Sequence, residues 1–161
     1  MSEPKRRVPG EKTRRPRDEL GRLLRWDEEN RLHLEDFDAL PLEENHRLGA
    51  AHFDAGRFFP AHEAWETAWK QGKGTADEEF FKGLSQLGAG YTHYRRGNAH
   101  GAHTLMRRGL SRIRRYGSHH RGVDVAALAE VVAAHAEAIE EAERAGRGLP
   151  EIEPPAFGRL A

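Results

Sequence analysis

From Pro41 onward the apolar positions of this chain recur at spacings of three and four, the period of a helix with one buried face. A first helix is predicted to start at Pro41, with Leu42, Leu48, His52 and Ala55 on one face and Gly56 as its left-handed stop. A second is predicted from about Pro60 to Gln71, with Gly72 beyond its end. Thr75 and Glu78 read as a capping box that opens the longest helix, which runs to about Arg96. Its apolar stripe is Phe80, Leu84, Leu87, Tyr91 and Tyr94. Gly97 ends that helix and Asn98 caps a fourth, striped by Ala102, Leu105, Met106, Leu110, Ile113 and Tyr116. After a polar loop over 117–122, Asp124 caps a fifth helix whose Leu128, Val131, Val132, His135 and Ile139 share a face. No run alternates with period two over a strand's length, so no sheet is expected. The predicted fold class is all-α, a compact bundle of about five helices.

The two ends of the chain break this pattern. Residues 1–17 hold seven basic side chains, two acidic ones and three prolines, with little to bury, and are predicted to be a flexible basic arm. Residues 18–40 read as an irregular segment with a short helix, drawn from Leu20, Leu23, Leu24 and Trp26, draped on the core. The helical domain then spans 41–146. An extended tail with Pro150, Pro154 and Pro155 fills 147–161.

Composition narrows the function classes. The 161 residues carry 26 basic and 26 acidic side chains, a balance that speaks against a nucleic-acid coat or a polybasic membrane binder. The absence of cysteine excludes disulfides, thiolate zinc sites and a cysteine nucleophile. No apolar run approaches a membrane span, and no apolar stretch follows the basic start, so a cytoplasmic location is expected. The partner this leaves is a small molecule, with a homo-oligomer as a further option.

The stretch richest in chemistry lies on the second helix. His62, Trp65, Glu66 and Trp69 stand at i, i+3, i+4 and i+7 and share a face. The tryptophans favour burial and draw His62 and Glu66 inward. A carboxylate carried inward must be paired, hydrogen-bonded, metal-bound or protonated. Glu63 lies about 100° around the helix, at the rim of the same pocket. On the third helix Glu79, Gln86 and His93 recur every seven residues and form a polar stripe. Gly83, Gly88 and Gly90 crowd that helix, which calls for close packing or room for a ligand. Gly83 and Gly90 are expected to floor the pocket, and Gly88→Ala to be the mildest of the three alanine substitutions.

Two stretches carry a resemblance. One is Phe53-Asp54-Ala55-Gly56-Arg57-Phe58-Phe59 followed by Ala61-His62-Glu63-Ala64-Trp65-Glu66 and Trp69. The other is Phe81-Lys82-Gly83-Leu84-Ser85-Gln86-Leu87, then Tyr91, His93, Arg96-Gly97-Asn98 and Gly101-Ala102. Over roughly residues 46–116 the chain resembles the family catalogued as domain of unknown function 309. The resemblance implies an all-α bundle. Relatives are sometimes labelled metal-dependent hydrolases, with no established substrate. Ser85 and Gly88 stand here where relatives often carry Ile and Ala.

Three readings of the cluster stay open. As an enzyme, a pocket between the second and third helices holds a divalent ion, zinc above others, through His62, Glu66 and His93. His52 and Glu79 are alternative third ligands, Gln86 and Glu79 line the pocket, and Glu63 is the general base. As a brace, His62 and Glu66 form a buried hydrogen-bonded network with Gln86 that fixes helix register. As a binding module, the pocket takes a small molecule or a partner. His100, His103, His119 and His120 are expected to be solvated among arginines. The Arg95–His100 spacing resembles a motif of metal-free helical ribonucleases, yet it repeats at Arg114–His119 and Arg115–His120, as chance allows in so Arg- and His-rich a chain.

Overall fold

Helix punctuation at Gly56, Gly97, Asn98 and Asp124 divides the chain much as its residues predict. The computed structural model describes residues 15–158 and contains five α-helices. These are α1 (Leu42–Asp54), α2 (Phe58–Gln71), α3 (Glu78–Arg95), α4 (Ala99–Ile113) and α5 (Val125–Arg144). Gly56 and Gly97 take φ of +76° and +78°, where a side chain would be strained. The Asn98 side chain accepts from the Gly101 amide and that of Asp124 from the Ala127 amide, so both predicted caps form. Among the described residues no helix is long and apolar enough to cross a membrane.

Consecutive helices pack on one another, α1 on α2, α2 on α3, α3 on α4 and α4 on α5. Trp65, Phe53, Phe80, Leu84, Leu87, Tyr91, Met106, Ile113 and Ile139 are fully buried between them. The segment after α5 is extended, as its prolines require, and it docks on the core. Tyr94 donates its hydroxyl to the Pro150 carbonyl at 2.7 Å, and the Phe157 ring packs 5.1 Å from both Phe53 and Trp65.

The chain forms two compact units, divided between His33 and Leu34. Within the first, Arg17 pairs with Leu23 in an isolated antiparallel bridge, and the Asp18 carboxylate accepts from the amides of Leu20 and Arg22. Residues 20–26 thus turn on a polar staple and form no helix. Leu23 and Trp26 are exposed. The basic arm predicted over 1–17 lies outside the described residues save for 15–17, which belong to this paired structure.

Several expectations need correction. A small sheet exists: β1 (His119–His120) pairs antiparallel with β2 (Val123–Asp124). Arg121 and Gly122 between them take φ of +46° and +78°, the positive pair that the tightest hairpin turns demand. Arg121 is held there by Asp77 and Glu43, each at 2.7 Å. The capping box does not form. The Thr75 hydroxyl accepts from the Asp77 amide at 3.3 Å and not from that of Glu78. The Glu78 carboxylate accepts from the Gly74 amide at 3.3 Å, and α3 starts at Glu78. The buried face of α1 is Asn45, His46, Gly49, Ala50, His52 and Phe53, and Ala55 is exposed. Two polar residues conceal that face in the sequence. Asn45 donates to the Phe37 carbonyl at 2.8 Å, and His46 accepts from the Trp65 indole at 3.1 Å.

Candidate metal centre

The α2–α3 seam is tight enough to bring backbone against backbone. A β-carbon on Gly88 would stand 2.9 Å from the His62 nitrogen and 3.0 Å from its Cα. Gly88 therefore sets how closely α3 approaches the His62 turn. Gly83 and Gly90 serve the other side of α3. Their added β-carbons would meet Ile113 and the Gly109 carbonyl, and Met106 and the Ala102 carbonyl, all on α4. The expectation that these two floor the pocket is thus wrong, and Gly88 is the glycine at the site.

This proximity fixes the His62 ring. Its Nδ1 lies 2.9 Å from the Ser85 carbonyl oxygen and 2.9 Å from the Ser85 hydroxyl. A carbonyl can only accept, so Nδ1 carries a proton. The Ser85 hydroxyl in turn donates to the His62 carbonyl at 3.2 Å. Nε2 points the other way, 3.3 Å from Glu66 Oε2 and 4.0 Å from Glu63 Oε1. These oxygens are acceptors as well. With Nδ1–H committed to Ser85, a cation is needed between Nε2 and the carboxylates, either a proton on the ring or a metal ion. His62, Glu63 and Glu66 are all half-buried, and their ligand atoms lie within 4.8 Å of one another, a group able to hold a metal ion.

The electrostatics follow from the same contacts. Burial opposes charge on His62, but the Glu66 hydrogen bond, the Ser85 carbonyl and the two carboxylates outweigh it and raise its pKa. The His62 hydrogen bond is the main reason that the Glu66 carboxyl is lowered to about 2, helped by Lys70, whose Nζ is 3.4 Å from Glu66 Oε1. Phe59 lies beside the ring, tilted by 46° with centroids 5.9 Å apart.

The other residues singled out from the sequence go elsewhere. Arg112 of α4 donates to Glu79 at 2.9 Å and to Gln86 at 3.1 Å, which turns both toward the α3–α4 seam. His52 is buried in α1 and bound to Glu35 at 2.9 Å. His93 lies outside the ligand group, with its Nδ1 3.1 Å from the Asn98 amide nitrogen. Burial and the nearby charges of Arg96 and His62 lower the His93 pKa, so its ring is held neutral. Ser85 and Gly88, which orient His62 and admit it to the seam, carried no chemical role in the sequence. Ser85 is marked only by its departure from the family's Ile, whereas Gly88 also stands among the glycines that crowd α3. Of the histidines expected to be solvated, His103 is buried and His120 binds Asp77 at 2.6 Å.

Residues 46–105 match the family model described as Domain of unknown function (DUF309), which agrees with the resemblance carried by the two stretches above. No curated protein and no solved structure matches the chain.

Proposed function

We propose that this chain, which carries the DUF309 domain over residues 46–105, binds a divalent cation through His62 and Glu66 and hydrolyses a small substrate beside it. The observation that carries this reading is the orientation of one ring. His62 commits Nδ1–H to a backbone carbonyl and turns Nε2 on two carboxylates. Outer-sphere fixing of the far nitrogen is the habit of metal-ligating histidines. Ligand atoms 2.0–2.1 Å from a tetrahedral zinc stand about 3.3 Å apart, and the His62–Glu66 separation is 3.3 Å.

The donor set of one imidazole and one carboxylate, with a second carboxylate beside it to serve as base, fits zinc or a neighbouring divalent ion. When bound, such an ion supplies Lewis acidity, which lets water serve as a nucleophile near neutral pH. His62 and Glu66 hold the ion. Glu63, the more distant carboxylate at 4.0 Å from Nε2, takes up the proton that the attacking water loses. The Asn98 side-chain amide donates to His93 Nδ1, which leaves the His93 proton on Nε2 in the metal-free chain. Lys70 neutralises the charge of Glu66 that is not balanced by His62.

The test uses protein made without a His tag or added zinc. The parent retains a metal equivalent that His62→Ala lacks, while Glu63→Gln keeps the metal and loses hydrolysis across a panel of small esters, amides and phosphate esters. A metal-loaded parent inert on the whole panel removes the hydrolase and leaves the site. Identical metal content in parent and His62→Ala removes both.

A second reading rests on the Lys70 contact and the raised His62 pKa. A proton on Nε2 then completes the cluster, and His62 serves as an internal brace that sets the α2–α3 register. That reading predicts no metal at the His62 cluster and a strongly destabilising Glu66→Ala.

A further inference from the structure

The first turns of α4 and the last turns of α5 meet at another group that shares no residue with the His62 cluster. His100 and His103 stand three apart on α4, and Glu140 and Glu143 three apart on α5, so each pair shares a face. His103 Nε2 is 3.1 Å from Glu143 Oε1, and His100 Nδ1 is 3.4 Å from the same oxygen. Those separations bracket the edge of about 3.3 Å expected around a tetrahedral zinc. The three ligand atoms all lie within 4.8 Å of one another. On the far side of the His103 ring, Nδ1 faces Glu140 Oε2 at 3.8 Å, and Glu140 is itself held by Arg107 at 2.9 Å. An outer carboxylate in that position sets the tautomer of a ligating histidine.

The charges at this end of α5 point the same way. Glu140, Glu141 and Glu143 crowd the C-terminal end of a helix, where the aligned peptide dipoles already place negative charge. Arg107 and Arg144 face Glu140, and Arg147 faces Glu141. Glu143 has the two imidazole rings as its partners among the described residues.

We infer that His100, His103 and Glu143 form a second metal site, which takes a transition cation of the Zn²⁺ type and clips the start of α4 to the end of α5. Two imidazole nitrogens select zinc, nickel or copper over magnesium or calcium. His103 is buried and anchors the site, whereas His100 is exposed and leaves a face open to solvent.

Zinc titration of the full-length chain carrying His62→Ala isolates this group from the other. After treatment with a chelator and its removal, that variant is expected to bind one equivalent of Zn²⁺ by calorimetry and to melt higher with it. Adding His100→Ala should weaken this binding by more than about tenfold and abolish the rise in melting temperature. The His100 side chain is 77% exposed, so the substitution leaves the fold intact. No saturable uptake by the His62→Ala chain overturns the inference, as does uptake that His100→Ala leaves unchanged. Neither result bears on the His62 site, which is read separately in the His100→Ala single variant.

Discussion

The two His/Glu groups contain the same residue types but differ in what holds them. At the α2–α3 seam the ring of His62 is fixed by main chain, through the Ser85 carbonyl on one side and the closeness that Gly88 allows on the other. At the α4–α5 end, His100 and His103 are positioned by other side chains, all from the ends of helices. Main-chain positioning orients a group before any ligand arrives, whereas side-chain positioning leaves ordering to be done on binding. The first group is therefore suited to chemistry and the second to bracing. The difference also determines how each responds to substitution.

Gly88→Ala should have the largest effect. Its methyl meets the α2 backbone at His62, which cannot move aside cheaply, and the expected loss is about 1–3 kcal/mol. In a thermal melt that corresponds to a drop of several degrees for a domain of this size. A variant that melts at or above the parent would show that the seam is slack and that His62 is not held by it.

Ser85→Ala comes next. It removes the hydroxyl contacts to Nδ1 and to the His62 carbonyl but leaves the Ser85 carbonyl in place. The expected cost is about 1 kcal/mol in chemical denaturation. Zinc affinity at the His62 site should fall by roughly tenfold, since an outer-sphere partner is lost. Unchanged affinity would mean that the carbonyl alone orients the ring.

The dependence on pH separates proton from metal. In the metal-free chain the raised His62 pKa means that its stabilisation is complete below the ordinary histidine value of 6.5 and is lost as pH rises through the folded pKa. The lowered Glu66 pKa means that its stabilisation is present above 4.5 and is lost as pH falls toward about 2. The advantage of the parent over His62→Ala should be greatest between those two ordinary values and decline on either side. Urea midpoints of both proteins at pH 3, 5.5 and 9 check this. Zinc reverses the trend on the alkaline side, because the ion replaces the proton on Nε2 and its affinity rises with pH.

The smallest effect belongs to the surface group. Without metal, His100→Ala should change stability by no more than about 0.5 kcal/mol. A larger loss would show that the α4–α5 end depends on a preformed ion pair and needs no metal.

Much of the fold was legible because helix boundaries are set by local chemistry. Gly56, Gly97, Asn98 and Asp124 act through their own backbone and nearest amides, which a sequence displays directly. The capping box does not form because the Thr75 hydroxyl accepts from the Asp77 amide, one residue short of Glu78, a choice that spacing does not reveal. The hairpin was missed because Arg121 is an unusual residue for a positive φ and is held there by Asp77 and Glu43, more than forty residues away. The candidate site divides in the same way. His62, Glu63 and Glu66 sit within one helical turn, so their grouping follows from helical period alone. Gln86 and Glu79 turn toward α4 and not α2, because the deciding partner, Arg112, comes from α4 and is not signalled by their seven-residue spacing. His103 and Glu143 are forty residues apart, and only the meeting of α4 and α5 brings them together.

The proposed function rests on His62 carrying its proton on Nδ1 and presenting Nε2 to a metal ion. Long-range ¹H–¹⁵N spectra of the histidine rings read both nitrogens directly, with the His62 signals assigned by their absence from His62→Ala. At pH 8, on addition of one to two equivalents of Zn²⁺, the account predicts that the Nδ1 proton persists while the Nε2 resonance moves to a metal-bound shift. A proton that stays on Nε2 in saturating zinc, with the His62 signals unmoved, would contradict it.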